Sequence, residues 1–282
     1  MQRYLLNQTF HYDYETPIRQ LEQRLMVVPP AAHGDQRRLE HRVKVDGAVV
    51  RTASRRDGFG NHVVHVRALH VEQAIEFDTW VEVERDSDLA APALPVTALR
   101  DRRYTQPSWL TRPSQAVIDA ARQLRARSSR PVELAESITS WVNGAFSYSH
   151  DATTVRTTAA EALDLGAGVC QDYAHVMLSI SRACGLAARY VSGHLVGEGG
   201  THAWVEVLVE DPDRPGLAMA VAFDPTHDRK VHNGYVTVAV GRDYSDVAPT
   251  SGTFRSPGMG RLSCRKRLEL TDDRSEAALA AC

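Results

Sequence analysis

The sequence predicts an α+β protein: an N-terminal antiparallel β-sandwich followed by a core of helices packed on an antiparallel sheet. Three observations carry that expectation. The first 85 or so residues alternate apolar and polar side chains with the period of two of half-buried strands. Three stretches of helical periodicity then fall in one block, between Ser114 and Gly185. After them the pattern reverts to strands. Helices and strands segregated along the chain mark α+β.

Taken in order, RRLEHRVKVDG sets Leu39, His41, Val43 and Val45 against Glu40, Arg42 and Lys44. AIEFDTWVEVE repeats the device, with Ile75, Phe77, Val81 and Val83 opposed to Glu76, Asp78, Glu82 and Glu84. Between them DGFGN, from Asp57 to Asn61, is a turn cluster. From Asp86 to Pro113 four prolines (Pro92, Pro95, Pro107, Pro113) break regular structure and predict a connector. Ser114 is then placed to cap a helix carrying Val117, Ile118, Ala121 and Leu124. The next helix, PVELAESITSWVNGAF, aligns Leu134, Ile138, Trp141 and Val142, with Gly144 near its end. A third runs from Cys170 to Cys184 and stops at Gly185. Strands follow in AARYVSGHLV, HAWVEVLV, LAMAVAFDP and RLSCRKRLEL. The expected organisation is a sandwich over 1–85, a connector over 86–113, a core over 114–248, a C-terminal strand segment over 249–272 and a fraying tail over 273–282.

Composition narrows the function classes. At 43% hydrophobic and 24% charged residues the chain is neither disordered nor fibrous. With 33 basic against 35 acidic residues, nothing demands nucleic acid or an anionic membrane as partner. No apolar run approaches the ~20 residues of a membrane helix, and the opening MQRYLLNQTFHYDYETP has charge and aromatics where a signal peptide needs an apolar stretch. Four cysteines (Cys170, Cys184, Cys264, Cys282) are too few for a disulfide scaffold. A cytoplasmic setting is expected, with thiols free for chemistry.

The chemistry concentrates in Gly166-Ala-Gly-Val-Cys170-Gln-Asp-Tyr-Ala-His175. A thiol opening a helix sits at the positive end of the helix dipole, which favours thiolate. Alone, such a cysteine is more often a small buried hydrophobe. Two further segments shift the balance. THAWVEVL is a strand that begins with His202, and AVAFDPT a strand that ends at Asp224. Folding the intervening Glu210–Gly216 link at Asp213 makes His202 and Asp224 cross-strand neighbours. That register puts Val205, Val207 and Val209 on a core face with Leu217, Met219, Val221 and Phe223. His202, Trp204, Glu206 and Asp224 then lie on the other face, which is free to meet the cysteine helix. A nucleophile, a base and an orienting carboxylate are the parts of thiol-based acyl transfer.

The blocks GVCQDYAH, GLAARYVSG, THAWVEV and FDPT resemble the core of the bacterial transglutaminase-like superfamily. YDYETP and DGFGN are similar to the β-sandwich that precedes this core in bacterial members, and GRDYSDVAP (Gly241–Pro249) to the segment after it. The resemblance implies a papain-like triad with Cys170 as nucleophile, His202 as base and Asp224 as third member. One departure stands out. Animal cross-linking transglutaminases have Trp directly after the cysteine and a separate Trp assisting the oxyanion, whereas Gln171 follows Cys170 here. The Cys170 N–H is one candidate oxyanion donor, and Tyr148 in FSYSH a candidate for the second.

Other signals are set aside. Cys184 lies about 20 Å along the same helix and cannot act as a resolving thiol; Cys264 and Cys282 look inert. His150, His175, His194, His227 and His232 lack metal-ligand spacing, no EF-hand loop is present, and neither a metal nor a cofactor is expected. GEGG, Gly197–Gly200, lacks the phosphate-loop frame and reads as a turn beside His202. Arg265-Lys266-Arg267 reads as a solvated basic face. The expected function is acyl transfer from a peptide, protein or small amide through a thioester on Cys170, with water as acceptor. The alternatives are an amine acceptor and, in another class, an inactive binding module.

Overall fold

The computed structural model describes residues 1–86 and 90–273, so the expected fraying tail beyond Asp273 and Cys282 lie outside the described residues. Seven strands come first: β1 (Gln2–Tyr14), β2 (Ile18–Val28), β3 (Ala32–His33), β4 (Gln36–Asp46), β5 (Val50–Arg56), β6 (His62–Val71) and β7 (Ala74–Arg85). Next are β8 (Ala93–Pro95), a 3-10 turn (Val96–Arg100), α1 (Arg102–Thr105), α2 (Gln115–Arg127), α3 (Pro131–Ala145) and β9 (Ser147–Tyr148). They lead to α4 (Ala159–Leu165), β10 (Ala167–Gly168), α5 (Cys170–Ala183), β11 (Ala187–Leu195), β12 (His202–Glu210) and β13 (Leu217–Asp224). The described residues end with β14 (Arg229–Lys230), β15 (Tyr235–Gly241), α6 (Tyr244–Val247), β16 (Thr250–Arg255) and β17 (Gly260–Asp273).

The class is α+β. One antiparallel sheet runs β17-β1-β7-β4-β3 and faces a second, β16-β2-β6-β5. Both are therefore completed by the last strands of the chain: β16 pairs with β2 and β17 with β1. The alternation read from the sequence explains the packing. Ile75, Phe77, Val81 and Val83 are all buried on one face of β7. The lower half of that face, Phe77 with Phe10 of β1, packs on Leu21, Leu25 and Val66 of the facing sheet. The upper half, Val81 and Val83 with Tyr4 and Leu6, packs on Val236 and Val238 of β15. One long sheet thus serves two cores and fixes the sandwich to the rest of the molecule. Leu39 departs from the expected inward stripe, because a bulge between Arg38 and Glu40 turns it to solvent.

The core sheet runs β14-β13-β12-β11-β15, with β8 added on β13. The proline-rich stretch is more regular than the sequence suggests. Pro95 is tolerated in β8 because this is an edge strand, and Asp101 caps α1 by accepting from the Arg103 N–H. Ser114 caps α2 as read, accepting from Val117 N. Helix α4 is too short to show a clear apolar period, although Thr158 and Glu161 form a capping box at its start.

Two corrections concern the β12–β13 hairpin. Asp211 accepts from the N–H groups of Asp213 and Arg214 and turns the chain later than its midpoint. Val205 consequently pairs with Phe223 and Glu210 with Ala218, two positions along from the expected register. An even shift leaves the faces unchanged. The cysteine helix, however, packs on the valine face: Val205, Val207 and Val209 meet Val176, Met177 and Ile180 of α5. An apolar helix gains most by burying against an apolar face. The His202–Glu206 face turns toward the sandwich instead, where Glu206 is bound by Arg189 and by His33, each at 2.6 Å.

Gly193 of β11 pairs with His202. A Cβ there would lie 2.2 Å from the Val236 carbonyl oxygen and 2.4 Å from the Trp204 ring. Gly193→Ala is expected to destabilise the fold by about 2–3 kcal/mol through overpacking, read as a lowered urea midpoint at unchanged slope.

Candidate active site

The approach to Cys170 is set by backbone. β10 pairs in parallel with β9, Gly168 beside Tyr148, which brings the phenol alongside the start of α5. Asp172 in the first helical turn reaches back and accepts from Val169 N at 2.8 Å and from Thr153 Oγ1 at 2.6 Å. A Cβ on residue 168 would fall 2.5 Å from that carboxylate oxygen, so only glycine admits the brace. Cys170 is the first residue of α5 and partly exposed, with its thiol 4.0 Å from the carbonyl oxygen of Thr201. The helix dipole is directed at it.

His202 opens β12 and is almost wholly buried. Its Nε2 lies 2.7 Å from Asp224 Oδ2. Its Nδ1 side meets Glu198 Oε2 at 3.2 Å, and the Cys170 side chain lies near enough to favour the charged ring. Although not paired as expected, His202 and Asp224 still meet, as diagonal neighbours on adjacent strands. The structure therefore brings all three sequence-predicted residues together.

Asp224 is fully buried and holds more than one imidazole. Its Oδ2 also accepts from Tyr235 OH at 2.6 Å and contacts His227 Nδ1 at 2.8 Å, while Oδ1 accepts from Thr226 N at 2.9 Å. Burial alone would raise its pKa, but the bonds from His202, Tyr235 and His227 outweigh it and hold the carboxyl far below its usual range. Burial likewise opposes charging of His202. The interactions with Asp224, Cys170 and Glu198 win, and its pKa is pushed up to about 11. The arrangement keeps an imidazolium beside the thiol at neutral pH.

The sequence reading missed four neighbours. Tyr235 lies in YVTVAVG, an apolar run not read as a strand. His227 shows no metal-ligand spacing in the sequence, yet it sits three residues after Asp224. Glu198 belongs to the GEGG turn and contacts both His202 and His227, the latter at 3.3 Å. Lys266 sits among residues read as a solvated face; Arg265 and Arg267 do face solvent, but Lys266 turns inward and places Nζ 3.5 Å from Thr201 Oγ1. Tyr148, the candidate second oxyanion donor, is half exposed, and its hydroxyl lies near the Cys170 N–H. Burial, then the charges of Cys170 and Glu198, push its pKa up to about 12, so the phenol keeps its proton. His202, Asp224 and His227 also cluster closely enough to hold a metal ion. Their nearest atoms stand at hydrogen-bond distances from one another, so as arranged they serve each other as partners.

A sandwich ahead of a helix-on-sheet core, with Cys, His and Asp converging at a helix terminus, is the arrangement of the chain. Comparison with known proteins shows its family. Residues 118–215 match the model of the transglutaminase-like superfamily core, and residues 4–84 that of the bacterial transglutaminase-like N-terminal region. An uncharacterized protein of Mycobacterium tuberculosis is 34% identical over 77% of this chain and 76% of its own length. One of Mycobacterium leprae is 31% identical over 68% and 72%. The crystal structure of a candidate cysteine protease from Cytophaga hutchinsonii shares the fold, with a TM-score of 0.75 at 19% identity over 96% of this chain and 91% of that one. The chain belongs to the bacterial transglutaminase-like family.

The ion pair fixes a pH signature. Asp224, depressed in the fold, contributes stability that is complete above its ordinary value of 3.8 and lost as pH falls toward its folded value. His202, raised in the fold, contributes stability that is complete below its ordinary 6.5 and lost as pH rises toward about 11. The difference in unfolding free energy between the native chain and Asp224→Asn should peak between those ordinary values, at about 3 kcal/mol, and shrink on either side. Urea titrations across pH check this; a gap independent of pH contradicts it.

Proposed function

We propose that the protein hydrolyses an amide or peptide bond through a thioester on Cys170. The observation that carries this reading is the convergence of the Cys170 side chain on the edge of the His202 ring opposite the one bonded to Asp224. The thiolate attacks the carbonyl carbon, and the tetrahedral oxyanion forms beside the Cys170 N–H. The phenol of Tyr148, near that N–H and still protonated, is placed to donate to the same oxyanion. His202 delivers its proton to the departing amine, leaving Cys170 acylated. In the second half His202 takes a proton from water, the hydroxide attacks the thioester, and the released thiolate regains its imidazolium partner. Asp224 holds the ring and stabilises its cation throughout. Water as acceptor is favoured by the partly open thiol and by Gln171 in place of the tryptophan of the animal cross-linking enzymes.

Iodoacetamide should alkylate Cys170 ahead of the exposed Cys264, and His202→Ala should bring the two rates together. Equal labelling in the native chain contradicts an activated thiol. Turnover of a peptide amide should release the free acid in the same yield with or without added primary amine. A product carrying the amine would replace hydrolysis by transamidation. Tyr148→Phe should lower kcat about a hundredfold with little change in KM, while leaving iodoacetamide alkylation unaffected.

A further inference from the structure

β17 belongs to the sandwich, yet one of its side chains reaches the thiol site. Strand alternation splits the Arg265-Lys266-Arg267 run: the arginines point to solvent, and Arg267 pairs with Glu269 on that side. Lys266 lies on the same face as Leu268, which is packed into the interface with β15. Its stem is partly buried, and its ammonium lies over the Phe10 ring at 5.4 Å and near Thr201, whose carbonyl oxygen neighbours the Cys170 sulfur. Among the described residues no carboxylate lies within 4.0 Å of this ammonium, and its one side-chain hydrogen bond, to Thr201 Oγ1, is long. Burial lowers its pKa, and the negative potential of the Cys264 and Cys170 sulfurs works the other way. A half-desolvated ammonium with most of its donor capacity unused is costly unless an anion meets it.

We infer that Lys266 is a specificity residue that anchors a carboxylate of the acyl-transfer substrate beside Cys170. The inference builds on the thioester reading above and names its substrate class: an amide bearing a free carboxylate close to the bond under attack, from an acidic side chain or a free C-terminus. The ammonium supplies a charge-assisted hydrogen bond, and the Phe10 ring holds it in place by a cation–π contact. Thr201 connects the two functions, since its hydroxyl faces the anchor and its carbonyl the nucleophile.

Two alkylating reagents of nearly equal shape test the anchor without requiring turnover. Iodoacetate carries the carboxylate and iodoacetamide does not. Their rate ratio at Cys170, divided by the same ratio for a small free thiol, should be raised about tenfold in the native chain. It should fall toward one in Lys266→Met, which keeps the stem, and be retained in Lys266→Arg, which keeps the charge. A ratio unchanged by Lys266→Met overturns the proposal. So does an equal loss of rate to both reagents, since the lysine would then act on the thiol itself. Peptide substrates identify the source of the carboxylate: Lys266→Met should raise KM for a glutamate-bearing amidated peptide or for a neutral peptide with a free C-terminus, and leave a neutral amidated peptide unchanged. Equal effects on all three contradict the anchor. If no peptide is turned over while the alkylation ratio responds to Lys266, hydrolysis fails and the carboxylate site stands.

Discussion

A single buried carboxylate organises this molecule. Asp224 is removed from water and charged, a state that is tolerated only when donors surround it. They come from separate parts of the chain: His202 from the start of β12, His227 and the Thr226 amide from the turn after β13, and Tyr235 from the start of β15. Tyr235 is itself engaged by Arg229 at 2.9 Å. Satisfying one acid therefore brings the starts of β12 and β15 to the end of β13, and leaves the other edge of the His202 ring to Cys170 and Glu198.

The thiol side is built with the same economy of means. Asp172 braces the backbone before Cys170, Gly168 leaves room for that brace, and the parallel β9–β10 pair delivers Tyr148. Glu198 shares the Nδ1 side of His202 with the thiol and joins it to His227, so negative groups flank the imidazolium on both edges. The sandwich is part of this arrangement. It covers the back of the hairpin through His33 and Glu206 and extends Lys266 over Thr201.

The sequence was most informative where local rules apply. Alternation in β7, the Ser114 cap and the apolar stripes of α2 and α3 are all visible in a short window, and the structure realises them. Cys170, His202 and Asp224 were legible because each stands at the end of an element within a distinctive block. The rest depends on contacts that no spacing rule encodes. Tyr235 lies in a fully buried run, where the period of two vanishes. The hairpin register turned on the Asp211 cap, and the docking face of α5 on which surface was apolar enough to hold it. Lys266 was hidden by its neighbours: three consecutive basic residues suggest one solvated face, but a strand sends the middle one to the opposite side.

A working Cys170–His202–Asp224 series forms a covalent acyl-enzyme. The decisive measurement is to mix the protein with a peptide amide, quench in acid and map the adduct by mass spectrometry. The expected result is a mass increase equal to the acyl group on the peptide containing Cys170, absent in His202→Ala. No adduct in the native chain, an adduct on another residue, or an undiminished adduct in His202→Ala would contradict it.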